Sequence, residues 1–212
     1  METELSTHRF YLREFEKGDW PAVQRYAALE AVSRYQPWGP NTEEDSRTYV
    51  EQLLEHAAKT DRIQFAYAVV WKENGQLIGA GELFLQDAVN RVGEIGYILH
   101  PDYWGKGIAT EVAELLIGYG FSKQGLHRIF ATCDPANAGS KKVLQKAGMM
   151  WEGTLRENLR MKDGWRDSLI YGVLEKADRL LPGWANKTHP SSIRRKKFTL
   201  TARCDKLYVI AL

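Results

Sequence analysis

The sequence predicts an α+β fold built on a central, largely antiparallel mixed sheet with one right-handed strand-helix-strand crossover. Three observations predict it. Short runs of period-two alternation recur along the chain, amphipathic helical runs are interspersed among them, and a glycine-punctuated turn, Tyr103-Trp104-Gly105-Lys106-Gly107-Ile108-Ala109-Thr110, joins a strand-like run to a helix-like one.

Residues 9–15 alternate as a strand does. Asp19 is placed to cap a helix through Val23, Tyr26 and Ala27, and Thr42, followed by acidic residues at 43–45, starts another through Tyr49, Leu53 and Leu54. Residues 65–72 and 77–86, separated by the turn dipeptide Asn74-Gly75, read as a hairpin. A strand over Val92 to Leu99 leads into the glycine turn. The helix beyond it carries Ile108, Val112, Leu115, Leu116 and Tyr119, a stripe that must lie on a sheet. A strand over His127 to Asp134, a helix over Asn137 to Ala147, a strand-like Trp151 to Leu155 and a last strand over Trp165 to Leu174 complete the body.

With 212 residues, 44% hydrophobic and 26% charged, the chain has the composition of an ordinary globular protein with one sizeable core. No run of about eighteen apolar residues exists and the first ten residues carry no apolar signal segment, so neither a membrane nor a secreted location is expected. Two cysteines, Cys133 and Cys204, make neither a disulfide framework nor a zinc set, and the five histidines lack metal-ligand spacing. A reducing cytoplasm and no metal are the expectation. Residues 186–212 hold seven Lys/Arg and one Asp, leaving 22 basic and 26 acidic side chains in residues 1–185. A mildly acidic domain over 1–185 is thus followed, past Pro182-Gly183, by a basic extension over 186–212, either a surface appendage or a patch for nucleic acid or the ribosome.

In the glycine turn, two glycines around Lys106 let backbone N–H groups crowd together, and the following helix adds its positive N-terminal end. That is a cradle for a phosphate-bearing ligand, or else a plain turn entering a helix. A nucleotide-triphosphate loop, G-x-x-x-x-G-K-S/T, is absent. So is the dinucleotide fingerprint, because no carboxylate stands about twenty positions beyond Gly105.

At these residues the chain resembles the GNAT superfamily of acetyl-CoA-dependent N-acetyltransferases. Residues 104–109 fit that family's pyrophosphate loop, Q/R-x-x-G-x-G/A, except that Trp104 replaces the first Gln/Arg. This Trp, with Glu94-Ile95-Gly96-Tyr97, Asn137-x-x-Ser140 and Lys146-x-Gly148, is similar to the branch holding the ribosomal-protein N-terminal acetyltransferases. The resemblance covers roughly residues 8–176. It implies a sheet split between the strand ending near Leu99 and the strand starting near His127, with acetyl-CoA in the gap. Its pyrophosphate would lie on Trp104, Gly105, Lys106, Gly107, Ile108 and Ala109, its pantetheine along Ile98, Leu99 and His100, with Asn137 and Ser140 alongside.

Acetyl transfer needs two proton events. A primary amine with pKa near 10 is only about one part in a thousand neutral at pH 7, a handicap of about 4 kcal/mol, so a base is useful; the leaving thiolate wants a donor. Strand alternation sets two carboxylates among apolar neighbours, Glu94 with Val92, Gly96 and Ile98, and Glu82 with Ile78, Ala80 and Phe84. Glu94, acting through a water, matches the base position of some relatives; the other reading is a structural carboxylate. Glu157, just after a strand-like run, is a third candidate or a solvated charge. Many family members place a tyrosine acid seven residues after the Asn, where this chain has Leu144. Ser140 heads the stripe Ser140, Val143, Leu144, Ala147 and can instead serve the thiol, unless it only satisfies the first helical turn. Asn137 is either a helix N-cap or a pantetheine contact, and Cys133 is a buried small residue rather than a nucleophile.

By the same resemblance the acceptor is walled by the early helices, with Tyr35, Trp38, the Gly39-Pro40 turn, Glu82, Phe84 and Trp165 as lining candidates. The expected function is acetyl transfer to a primary amine, a protein or peptide N-terminal α-amine, with a small-molecule amine such as a polyamine or an aminoglycoside as the alternative acceptor. The alternative class is a non-catalytic acyl-CoA-binding or ribosome-associated module, and a monomer and a homodimer are both open.

Overall fold

The structure, a computed structural model, describes residues 5–178. The strands are β1 (Phe10–Glu14), β2 (Gln64–Trp71), β3 (Leu77–Asp87), β4 (Val92–Leu99), β5 (Arg128–Cys133), β6 (Met150–Arg160) and β7 (Trp165–Leu174). The helices are α1 (Trp20–Ala27), α2 (Glu30–Ser33), α3 (Glu43–Ala57), α4 (Ile108–Ser122), α5 (Ala138–Lys146) and α6 (Glu175–Asp178). All seven strands join one sheet in the order β1-β2-β3-β4-β5-β7-β6. Neighbours are antiparallel except β4 and β5, which run parallel because α4 crosses over between them. The predicted α+β class and mixed sheet are what the chain forms.

Alternation along β2, β3 and β4 sorts side chains onto two faces. On one, Leu83, Ile95, Tyr97 and Leu99 pack with Val112, Leu116 and Ile117 of α4. On the other, the small residues Ala66, Ala68 and Ala80, with Ile98, meet Val23, Tyr26, Val50 and Leu53 of α1 and α3. Each fully buried aliphatic side chain contributes roughly 2 kcal/mol, so both helical layers are held mainly by this burial. Gly81 is required by close approach: a Cβ there would meet Val112 Cγ1 at 2.8 Å.

Local chemistry starts the helices. Thr42 caps α3, its hydroxyl accepting from the Asp45 N–H at 3.2 Å while Asp45 Oδ2 accepts from the Thr42 N–H at 2.8 Å. Asn137 caps α5, its Oδ1 accepting from the Ser140 N–H at 2.9 Å. The predicted cap at Asp19 takes a different form. Asp19 precedes α1, but its carboxylate accepts from Arg13 at 2.7 and 2.8 Å instead of from helix amides. A charge-assisted bidentate pair outcompetes a single cap bond.

The sheet forks at its centre. β4 and β5 pair only over Val92–Glu94 against Arg128–Phe130, although β4 runs on to Leu99 and β5 to Cys133. Residues 95–99 and 131–133 therefore flank a gap.

Two predicted placements are corrected. Ile78 does not share the Glu82 face: the ladder slips between Val69 and Val70, so Leu77 joins the α1/α3 face and Ile78 the other. Glu157 lies inside β6 rather than after it, with φ +46° at an irregularity between Leu155 and Leu159, its N–H donating to Asp167 Oδ1 at 2.8 Å. The basic extension over 186–212 and Cys204 lie outside the described residues.

Candidate active site

The fork begins beside Glu94, the last β4 residue opposite β5. The His100 N–H donates to the Ile78 carbonyl, so even-numbered β4 peptides face β3 and odd-numbered ones face the fork. Ile98, predicted as a backbone contact, thus turns its peptide to β3 and its side chain into the α1/α3 layer. The Leu99 carbonyl accepts from Trp104 Nε1 at 2.9 Å. That leaves the Leu99 N–H and the Tyr97 peptide groups turned towards the gap, an edge that a polar, extended ligand can pair with.

At the far end of β4 the loop enters α4 with Gly105 at φ +71° and Gly107 at φ +76°, a left-handed pair that only glycine adopts cheaply. A Cβ at Gly105 would meet nothing within 4 Å, so the loop is open on that side. First-turn amides of a helix have no intrahelical partners, and the α4 dipole adds positive potential. Gly105, Lys106 and Gly107 are exposed, Ile108 buried. Lys106 rests over the Tyr103 ring at 5.5 Å, and Tyr103 packs on Trp71. Arg9 fixes the loop from outside. Its Nη1 donates to the Lys106 carbonyl at 2.8 Å and its Nη2 to Glu111 Oε1 at 2.5 Å. These residues fit a pyrophosphate.

Across the gap, Ser140 is fully buried and its Oγ lies 3.0 Å from Tyr97 Oη. Burial drives the Tyr97 phenol far above its ordinary range, so it stays protonated. Cys133 is buried nearby, its thiol pushed up to about 11 by burial, which keeps it from acting as a thiolate. Asn137 is 6% exposed and occupied in capping, and Leu144, seven residues on, is fully buried.

On the other face a cleft of about 600 Å³ opens between α1, α3 and the segment joining α2 to α3. Tyr26, Trp38, Tyr49 and Ile98 form apolar and aromatic walls, with Asp45 and Lys162 at its margins. The cis Gly39-Pro40 bond shapes one side, and Lys162, from the β6–β7 turn, donates to the Gly39 carbonyl. Under this cleft Glu82 is completely buried and accepts from Tyr49 Oη at 2.6 Å and Gln64 Nε2 at 2.9 Å. Burial raises its carboxyl to about 7 against these two bonds, which act to lower it.

The predicted acceptor residues divide. Trp38 lines the cleft and Glu82 lies beneath it. Tyr35 instead offers its carbonyl to Arg166 Nη1 at 2.6 Å, Phe84 is buried opposite Glu94, and Trp165 is 60% exposed with Arg160 over its ring. Glu94 is half-buried and accepts from Gln86 Nε2 at 2.6 Å. The sequence alone does not single out Arg9, Tyr49, Tyr97 or Lys162 as neighbours of the loop, fork or cleft. The Tyr97 position, alternating with Ile95 and Leu99, marked it as inward, but nothing local to the others signals partners dozens of residues away.

Residues 9–150 match the acetyltransferase (GNAT) domain family. The chain belongs to the GNAT acetyltransferases. It is 36% identical over 172 residues to an uncharacterised N-acetyltransferase, YnaD, of Bacillus subtilis, covering 81% of this chain and 97% of that one. It is 29% identical over 181 residues to the spermidine N(1)-acetyltransferase of Escherichia coli, covering 84% and 94%. The ribosomal-protein-S5-alanine acetyltransferase structure from Vibrio fischeri superposes with a TM-score of 0.67 at 26% identity, covering 80% and 95%. As a GNAT enzyme the chain is an N-acetyltransferase that uses acetyl-CoA, which supplies the activated acetyl group. Among the described residues no helix is long and apolar enough to cross a membrane.

Proposed function

We propose that this GNAT enzyme acetylates the α-amine of a peptide or protein, held in the cleft between α1 and α3. The cleft's charge balance carries this reading. Among the described residues lining it, Asp45 is the one carboxylate and Lys162 the one ammonium. A single ammonium group on an uncharged, partly apolar body suits such walls, with Asn41, Thr48 and Gln52 able to hydrogen-bond a backbone. A polyamine carries several cations and wants a carboxylate for each. The observation in favour of a polyamine is Glu82 under the floor, a second acid within the same layer, together with the relative named for spermidine.

The chain's own groups divide the work. Residues 104–109 hold the pyrophosphate, and the fork edge of Tyr97 and Leu99 aligns the pantetheine. Ser140, backed by the Tyr97 hydroxyl, donates to the departing thiolate. A carboxylate on the cleft face of the sheet, Glu94 or Glu82, takes the proton from the amine. Thiol release measured with purified protein, acetyl-CoA, a set of N-terminally free peptides and spermidine tests the acceptor class. Turnover confined to peptides supports the proposal, and turnover confined to spermidine replaces it with the polyamine reading.

A further inference from the structure

The cleft carries a hydrogen-bond chain that core packing does not require. Tyr49 lines the cleft and donates its hydroxyl proton to Glu82 Oε1 at 2.6 Å. Glu82 Oε2 accepts from Gln64 Nε2 at 2.9 Å, and Gln64 Oε1 lies 2.6 Å from His56 Nδ1. Glu82 is 0% exposed, midway along β3, with Ala66 and Gly96 opposite it on β2 and β4. Both donors that hold it are neutral. A buried carboxylate held only by neutral groups is costly unless it carries a proton for part of its working cycle. Of the two side chains that donate to it, Tyr49 is the one that lines the cleft.

We propose that Tyr49 and Glu82 form the proton exit for the acceptor amine, Tyr49 touching the ammonium group and Glu82 holding the proton behind it. The inference rests on the reading that the acceptor amine lies in this cleft. As the ammonium gives a proton to Tyr49 Oη, the Tyr49 O–H proton moves to Glu82 Oε1. One N–H bond breaks, one O–H bond forms on Glu82, Tyr49 ends with the proton count it began with, and the nitrogen keeps the electron pair that attacks the acetyl carbonyl. After product leaves, the proton returns through Tyr49 to water in the open cleft.

The surroundings suit a group that must both take and release a proton. Tyr26 faces Glu82 from α1, Tyr49 from α3, and His56 through Gln64; β4 presents Gly96 opposite it. With its carboxyl near 7, both protonation states are populated at neutral pH.

The test is the pH dependence of kcat/KM for the wild-type enzyme, Glu82→Gln and Tyr49→Phe, with whichever amine it acetylates and with folding checked by circular dichroism. The wild type should lose rate as pH falls through about 7. Glu82→Gln should lose that acidic limb and run roughly a hundredfold slower at neutral pH. Tyr49→Phe removes a donor that favours the charged carboxylate, so its residual activity should show the limb displaced to higher pH. An unchanged limb in either folded variant overturns the proposal, as does a limb that survives Glu82→Gln and vanishes in Glu94→Gln. If no amine is acetylated, the acceptor reading falls and takes the proposal with it. Turnover with an unmoved limb sinks the proposal alone.

Discussion

Arg9 and Glu111 stand 102 positions apart in the chain and 2.5 Å apart in the fold, Arg9 Nη2 donating to Glu111 Oε1. With Arg9 Nη1 on the Lys106 carbonyl, this pair ties the residue before β1 to the glycine loop and the first turn of α4. Arg9 is only 23% exposed, so solvent screens the pair less than an open surface ion pair. Arg9→Ala should leave a folded protein that binds acetyl-CoA about tenfold more weakly, equivalent to about 1.4 kcal/mol. Calorimetric titration reads this directly, and unchanged affinity would show that the loop holds its shape without the arginine.

The loop glycines separate strain from space. Gly105→Ala meets no neighbour within 4 Å, so its cost is conformational, about 1 kcal/mol for a side chain at φ +71°. Gly107→Val adds a β-branched residue at φ +76°, where the backbone passes into α4, and should abolish measurable acetyl-CoA binding. Thermal denaturation alongside titration tells the two apart: a small stability loss with lost binding supports a cradle, and retained binding contradicts it.

Ser140 and Tyr97 form one unit across the fork. Ser140→Ala should lower kcat about a hundredfold while acetyl-CoA affinity stays within about twofold, because the Asn137 cap uses the Ser140 N–H rather than its hydroxyl. Tyr97→Phe should lower kcat in the same direction. The double variant should be no slower than Ser140→Ala alone, since both changes remove the same 3.0 Å contact. Additive effects in steady-state kinetics would separate their roles.

Glu82 also makes stability depend on pH. Its folded-state value, about 7, is above the ordinary 4.5, so the folded protein binds the proton more tightly than the unfolded chain does. The stability it contributes is fully present below about 4.5 and is lost as pH rises through about 7, a change on the order of 3 kcal/mol. Urea unfolding across that window should show wild type losing stability relative to Glu82→Gln. Parallel curves for the two proteins would mean the carboxyl titrates normally.

Elements whose boundaries coincide with a change of local pattern could be read directly. Val92–Leu99 and Trp165–Leu174 were predicted residue for residue, and Thr42 announced α3 through its own capping chemistry. β6 was read only as far as Leu155 because the irregularity at Glu157 breaks the alternation, although the strand runs to Arg160. α2, four residues long, has no period to detect. The left-handed glycine pair, the Asn137 cap and the inward Ser140 are legible because their signals are packed into a few consecutive positions. Tyr49 was seen only as a helix-face residue, and its meaning comes from Glu82, 33 positions later on a different layer. Arg9 belongs to the loop through contacts spanning almost half the chain. Such pairings arise from topology, and no local window contains both partners.

Because β4 and β5 share only the rungs from Val92 to Glu94, the sheet is complete only when something else fills the fork. With its pantetheine lying along the fork as proposed, acetyl-CoA would be a removable structural member as well as a reactant, bracing two half-sheets against each other. By mass action, a ligand at a hundred times its dissociation constant adds about 2.7 kcal/mol to the resistance of the folded chain to unfolding. On that placement the enzyme should be sturdiest when acetyl-CoA or CoA is plentiful, and scarcity of both should leave it softer to heat and to proteases before a single turnover is counted.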